Sequence, residues 1–319
     1  MGRNYIVITP CRNEESNLPN LIAAITNQTI RPKLWVIVDD NSTDNSAKII
    51  KEAEKSFKWI KGIYLKEKAE YMGSHLAFVC NCGFEFAINF CKNHRIPYDY
   101  IALVDADNIP EPAYFEKLIK EFEKDPKLGI SSGHTFRTIS LQDYENKKIN
   151  IDILNPKTWE GEAPNPKRDD LPMGSARIWR RECFEETGGY ILTHAPDSVS
   201  NVKAKMKGWK TKRFTHAKVI EREALLKRSL IKGYIYRGKK DFHLWYPFSV
   251  VFLKSLKYSF RFPFYYGVLY LYGYLKSYSR EKDARTNDPD LKYYNTKIRL
   301  KELLKIKIGE RDNNVYKKK

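Results

Sequence analysis

Three short apolar runs in the first third of the chain, Tyr5 to Ile8, Trp35 to Val38 and Tyr100 to Val104, each stop at a polar or acidic cluster. Runs of this length without polar alternation are buried on both faces, as strands of a parallel sheet are. The segments between them have a different period. Asn17 to Asn27 places Leu18, Leu21, Ile22 and Ile25 at helical spacing, and Ser42 to Lys55, His75 to Asn89 and Pro112 to Phe122 also read as helices. Asp44 and Ser46 are capping candidates for the second of these. With Trp59 to Leu65 as a further strand, the order predicts an α/β fold, a βαβ sheet with crossover helices on both faces. Gly129 to Ile139 and Trp209 to Ile220 read as later strands, and Asp152 to Asp170, rich in Pro, Asn and charge, as a surface loop.

The acidic clusters are Asp39-Asp40-Asn41-Ser42-Thr43-Asp44 and Asp105-Ala106-Asp107. In open α/β sheets ligands collect at the carboxyl ends of the strands, so these acids are site candidates. Alternation along an extended segment puts Asp105 and Asp107 on one side. Two carboxylates so close repel each other unless a cation intervenes. Mg²⁺ or Mn²⁺ takes oxygen ligands together with substrate phosphates, so the implied ligand is a metal-bound diphosphate.

The formal charge of +18 favours a polyanionic neighbour. Nucleic acid is not expected, because neither zinc-finger spacing nor a paired RNA-binding aromatic motif is present. The five cysteines, at 11, 80, 82, 91 and 183, lack the paired spacing of a zinc site and suit a reducing compartment. A strand as early as Tyr5 leaves no room for a signal peptide, so a cytoplasmic location is expected.

Three segments, Val7-Ile-Thr-Pro-Cys-Arg-Asn-Glu-Glu, Val38-Asp-Asp-Asn-Ser-Thr-Asp-Asn-Ser and Val104-Asp-Ala-Asp-Asn, in that order and spacing, resemble family 2 glycosyltransferases with the GT-A fold over about residues 4 to 222. The resemblance implies a nucleotide-diphosphate sugar donor, a divalent metal, and a sheet that is mostly parallel but mixed on the acceptor side. It places Thr9, Pro10, Arg12 and Glu14 around the nucleotide and Asp39 on the uracil or guanine edge. Asp40 then supports the loop or ribose, Asp105 belongs to the ribose and metal shell, and Asp107 contacts the metal. His216 falls where related enzymes place a histidine near the metal. Asp197, in His194-Ala-Pro-Asp-Ser, falls where the family carries its general base, although Pro196 replaces the usual preceding acid; Arg222 falls where a cation neutralises phosphate. Glu14 or Glu15 as helix caps, Asp44 as a cap and Asp197 as a cap for a helix beginning near Ser198 are the alternative readings. The Gln-x-x-Arg-Trp signature of processive synthases is absent. The expected reaction is therefore transfer of one sugar, with inversion, to a lipid-linked or glycan acceptor.

On the acceptor or sugar side, Gly133, Gly174 and Ser175 leave room for substrate to approach the backbone, and His134 and His194 are candidates to line it. His75, His94 and His243 read as packing or surface residues. Residues 1–227 form the expected catalytic domain, 228–285 an aromatic and basic helical extension, and 286–319 a basic tail. Between Tyr234 and Tyr274 lie 16 of the chain's 43 aromatic residues, interleaved with Lys and Arg. The longest uncharged run there, Phe262 to Leu275, has 14 residues, short of the roughly 20 that span a bilayer. The extension is expected at an anionic membrane interface, or else in a homodimer contact. The competing functions are a nucleotidyltransferase, which would need a Gly-rich loop after the first strand, and a catalytically silent membrane-surface adaptor.

Overall fold

The computed structural model describes residues 2–66, 74–139, 169–222, 230–260, 262, 264–280, 285–299 and 301; the side chains of 136–139 and 222 are not among them. Most of the expected surface loop, and residues 300 and 302–319 of the expected basic tail, lie outside the described residues. The chain divides into two compact units, Met1–Leu192 with Trp209–Leu225, and Thr193–Gly208 with Leu226–Lys319.

The first unit is built on one eight-stranded sheet. Its strands are β1 (Tyr5–Cys11), β2 (Leu34–Asp40), β3 (Ile60–Leu65), β4 (Tyr100–Val104), β5 (Asn108–Pro110), β6 (Leu128–Ile139), β7 (Ala176–Arg180) and β8 (Lys210–Arg222). The spatial order is β3-β2-β1-β4-β7-β6-β8-β5. The strands β3, β2, β1 and β4 are parallel, whereas β7 runs antiparallel to both β4 and β6, and β5 antiparallel to β8. The sheet is thus parallel on one side and mixed on the other, as expected.

Strand alternation divides the core into two layers. Tyr5, Val7, Trp35, Ile37, Tyr100 and Ala102 pack with α1 (Leu18–Thr26), α2 (Ser46–Ser56) and α4 (Tyr114–Lys124). On the opposite face α3 (Ser74–Asn93) crosses β1 and β2. There Phe84 meets Trp179 edge-on at 5.9 Å, and Phe184 of α5 (Arg181–Glu186) at 5.0 Å. Arg180 is buried yet fully used: its guanidinium donates to the carbonyls of Leu128, Phe122 and Asp125 at 3.1, 2.7 and 3.2 Å. A buried cation at the end of α4 is stabilised by the carbonyls a helix terminus leaves without intrahelical donors.

The second unit is helical, with α6 (Pro196–Met206), α7 (Leu230–His243), α8 (Phe248–Ser259), α9 (Tyr266–Arg280) and α10 (Pro289–Tyr293), which continues into a π-helical turn at Tyr294–Ile298. A buried carboxylate, Asp241, accepts from Lys254 Nζ at 2.7 Å and from the Tyr270 hydroxyl at 2.6 Å. That network ties α7, α8 and α9 together, since removing any member would leave a buried polar group unpaired. Lys203 on α6 pairs with Asp288 at 2.9 Å, and Thr193 with Thr286 at 2.9 Å. The segment carrying Asp197 therefore belongs to the compact unit of the C-terminal helices.

Candidate active site

The strand order reverses between β1 and β4, because β2 and β3 lie on one side of β1 and everything after β3 on the other. A crevice forms at such a switch point, outside the carboxyl ends of the strands. Pro10 helps to open it. The β1–β4 pairing ends at Ile8↔Leu103, whereas β1 stays in register with β2 through Cys11↔Asp39. A proline has no N–H to extend a ladder.

The loops at the ends of β1 and β2 lock each other. Asn13 N–H donates to Ser42 Oγ at 2.9 Å while Asn13 Oδ1 accepts from Thr43 N–H at 2.8 Å. Glu14 N–H donates to Ser46 Oγ at 2.8 Å, Glu15 N–H to Asp44 Oδ2 at 3.1 Å, and Asn45 N–H to Glu15 Oε2 at 3.0 Å. Asn13 and Asn41 take φ of 56° and 54°, a left-handed conformation that Asn tolerates better than most residues. Asp44 is not the N-cap it was read as: that position is Asn45, and Asp44, one residue before it, accepts from Ser46 N–H through Oδ1 at 2.9 Å. Burial raises its pKa, but the bonds from Ser46 and Glu15 outweigh this and hold the carboxyl below its ordinary value. Residues 42–45 are spent on this loop contact, so α2 begins at Ser46 rather than Ser42.

Against this frame stand the two acids of β2. Asp40 is fully buried; its Oδ2 accepts from Arg12 Nη1 at 3.2 Å and its Oδ1 lies 2.9 Å from His75 Nε2. Asp40 shares a strand face with Val36 and Val38, over which α3 lies, and His75 stands in the first turn of that helix. His75 thus packs where α3 crosses β2, with its ring nitrogen facing Asp40. Asp39 points the other way. It too is buried, and its Oδ1 has no hydrogen-bond partner. Burial raises its pKa, Ser42 opposes the shift through its hydroxyl and N–H, and the charges of Asp44 and Asp40 add to it. An unpartnered buried carboxylate oxygen is costly.

The second acidic cluster lies beside the mixed half of the sheet. Asp105 N–H donates to Ser175 O at 2.7 Å, which joins the end of β4 to the Gly174-Ser175 segment leading into β7. Asp107 Oδ1 accepts from Asn108 Nδ2 at 2.7 Å. Asn108 is paired with Glu221 on β8. The Glu221 carboxyl has a raised pKa, first through burial and then through the charge of Asp107, with a bond from Thr135 opposing. Glu221 is thus a third acid near the pair, which only the β5–β8 pairing reveals. Among the described residues, no three His, Cys, Asp or Glu groups form a cluster able to hold a metal ion.

Several expected residues have other duties. Thr9 is buried and its Oγ1 accepts from Trp35 Nε1 at 3.0 Å, so it serves the core. Glu14 holds the start of α1, where Asn17 Nδ2 donates to its Oε2 at 2.5 Å and its carbonyl accepts from the N–H groups of Asn17 and Leu18. Gly133 leaves no open room: a Cβ there would collide with the Ala217 carbonyl and the Tyr114 ring. Its N–H donates to the Tyr114 hydroxyl at 2.7 Å, which in turn donates to Ala176 O at 2.7 Å. His216 is paired with Glu121 of α4 at 3.7 Å and is not grouped with Asp105 and Asp107. His134, on β6, is held below its ordinary pKa by burial and by the nearby charge of Arg213. In the second unit, His194 stacks on His243 at 4.2 Å. Asp197 lies in the first turn of α6, whose N-cap is Ala195, so the helix starts before it and not after it. Arg222 ends β8, and its side chain lies outside the described residues.

Residues 6–188 match the family described as glycosyl transferase family 2. The chain belongs to that family. The chondroitin synthase of Escherichia coli is 26% identical over 224 residues, 66% of this chain and 30% of that protein. A poly-beta-1,6-N-acetyl-D-glucosamine synthase of Staphylococcus epidermidis is 27% identical over 39% of this chain and 26% of its own length. The family 2 chain thus spans less than a third of these relatives. Among solved structures, a mannosyltransferase, PcManGT from Pyrobaculum calidifontis in complex with GDP-Man and Mn²⁺, superposes with a TM-score of 0.51 at 16% identity, covering 98% of this chain and 84% of that one. TarS 1-349 of S. aureus in complex with UDP-GlcNAc gives 0.50 at 14% identity, covering 94% and 77%. These likenesses establish a GT-A-like fold with a helical C-terminal extension.

Proposed function

We propose that the chain transfers one sugar, with inversion, from a UDP- or GDP-sugar to a lipid-linked or glycan acceptor. The observation that carries this reading is the Asp39 carboxylate, buried at the switch point with one oxygen unpartnered. A uracil or guanine ring offers an N–H to it. Arg12, steadied by Asp40, lies on the loop after β1 at the same strand ends, and His75 Nε2 lies 2.9 Å from the other Asp40 oxygen.

The oxygen donors Asp105 and Asp107 suit a hard cation, because Mg²⁺ or Mn²⁺ is commonly held by one or two carboxylates and completed by substrate phosphates. PcManGT, of the same fold, is described with Mn²⁺. Asp107 and Asp105 would hold the ion, with His216 left out and Glu221 adding negative potential beside them. Bound with the diphosphate, a divalent ion neutralises the charge that grows on the leaving group.

The acceptor oxygen attacks the anomeric carbon, and the electron pair of the sugar–phosphate bond leaves with the diphosphate. A single displacement inverts the centre. Asp197 is proposed as the group that takes the acceptor hydroxyl proton, on the strength of its place in the family pattern. An acceptor that is already an ionised phosphate needs less help from it. The protein is proposed to work at an anionic membrane surface. Among the described residues no helix is long and apolar enough to cross a membrane.

Release of nucleoside diphosphate from a panel of UDP- and GDP-sugars, with Mn²⁺ or Mg²⁺ and with lipid-phosphate or oligosaccharide acceptors, tests the reading. Acceptor-dependent release with one base class supports it. Release of pyrophosphate, or no turnover of any sugar nucleotide, contradicts it.

A further inference from the structure

An apolar surface of the second unit is built from α8, the turn that follows it, and α9. Phe248, Phe252, Leu253 and Leu256 are exposed along α8, and Val268, Tyr272, Leu275 and Tyr278 along α9. The turn between the helices carries Phe260, Phe262 and Phe264 at 84%, 86% and 64% exposure. A monomeric protein seldom leaves a contiguous patch of this kind uncovered.

The other side of the same helices is tightly supported. A Cβ at Gly238 of α7 would meet the Tyr270 carbonyl of α9, and one at Gly273 of α9 would meet the Ile235 carbonyl, so the two backbones touch directly. Ser255 of α8 donates to the Gly267 carbonyl at 2.9 Å, and the Asp241, Lys254 and Tyr270 network lies beneath. The apolar face is therefore presented on a rigid support, and burying it requires no local unfolding.

Charge decides what covers it. From Phe242 to Arg280 the chain contains no Asp or Glu, and apart from Lys254, which Asp241 neutralises, the cations Lys257, Lys276 and Arg280 fall within that stretch. A two-fold contact between copies would set this surface against itself, cation against cation. An anionic bilayer offers the opposite charge at headgroup depth and hydrocarbon below it. Aromatic rings with a cationic surround suit that boundary.

We infer that the α8–α9 hairpin is a membrane wedge, inserting Phe260, Phe262 and Phe264 into the interface of an anionic bilayer while Lys257 and Lys276 lie among the headgroups. The inference deepens the membrane part of the proposed function and stands apart from its donor chemistry.

The test is flotation of the full chain with vesicles of phosphatidylcholine alone or of phosphatidylcholine mixed with phosphatidylglycerol, since anionic lipid strengthens interfacial binding of basic, apolar surfaces. A Phe260→Ser/Phe262→Ser/Phe264→Ser variant alters only exposed side chains, and its melting temperature and nucleoside-diphosphate binding report whether the fold and the donor site persist. Wild type should float with the anionic vesicles and be released by salt. The triple variant should bind at least tenfold more weakly with melting and nucleotide binding unchanged, and Lys257→Glu/Lys276→Glu should lose the preference for anionic lipid. Flotation of the folded triple variant at wild-type strength overturns the wedge. So does a wild-type protein that ignores vesicles and sediments as a dimer which the triple variant breaks. Failure to bind nucleotide with flotation intact would count against the donor reading and leave the wedge standing.

Discussion

Nε2 of His75 lies 2.9 Å from Oδ1 of Asp40, and Arg12 holds the other oxygen of that carboxylate at 3.2 Å. One buried acid thus joins the first turn of α3 to the loop after β1. Asp40 is fully buried whereas both partners reach solvent, so the carboxylate is the member whose loss matters most. Asp40→Ala should lower stability by about 2 to 3 kcal/mol, the range for hydrogen bonds to a charged group, and loosen the Arg12 loop. His75→Ala should cost less, because Arg12 still meets the carboxylate. Chemical denaturation of the two variants checks the order, and equal losses would contradict it.

Asp39 has a raised pKa, chiefly through burial, with Ser42 opposing. Its ionised form is the one that accepts a base N–H. Donor affinity should therefore fall on acidification, starting above the ordinary Asp range, and Asp39→Asn should remove that limb while leaving the limb due to phosphate protonation. At neutral pH the same substitution should weaken nucleotide binding ten- to a hundredfold, as the loss of a charge-assisted bond does. The stability sign is the reverse. A raised folded pKa contributes stability at low pH that disappears as pH rises through it, so the unliganded Asp39→Asn protein should match or exceed wild type in stability at neutral pH. Paired calorimetric and thermal titrations across pH measure both.

Gly133 sits where any Cβ meets the Ala217 carbonyl and the Tyr114 ring. Gly133→Ala should destabilise by about 1 to 3 kcal/mol through overpacking, by pushing β6 from β8. Unchanged thermal stability would mean that the strands separate freely there, and would restore the sugar-side role expected from sequence.

Asp197→Asn should lower kcat by about a hundredfold or more, the contribution of a general base, and leave KM for the donor nearly unchanged. A loss below tenfold with a phosphate acceptor, alongside a large loss with a hydroxyl acceptor, would identify the acceptor chemistry. A large rise in donor KM instead would show that Asp197 serves nucleotide binding.

The parts of this account legible in the sequence are those fixed by local pattern. The strands at Tyr5, Trp35 and Tyr100 announce themselves because buried parallel strands are uniformly apolar, and their carboxyl ends locate Asp39, Asp40, Asp105 and Asp107. Residues whose roles depend on distant partners did not show. His75 meets Asp40 only because α3 crosses β2, Glu221 approaches Asp107 only through the antiparallel β5–β8 pairing, and Thr9 is claimed by the Trp35 indole. Gly133 illustrates the converse: a missing side chain signals close approach, but the sequence does not say whether substrate or backbone approaches. The position of His216 in a motif likewise could not reveal Glu121 beside it.

The central claim is that the carboxyl ends of β1, β2 and β4 form a donor site for a nucleoside diphosphate and a divalent ion. Calorimetry of UDP and GDP with the wild-type chain, Asp39→Asn and Asp107→Ala, each with and without Mn²⁺, tests it most directly. The account predicts metal-dependent binding of one base class, weakened in Asp39→Asn with its metal dependence kept, and stripped of metal dependence in Asp107→Ala. Binding that ignores both substitutions, or no binding of either nucleotide by a folded chain, would contradict it.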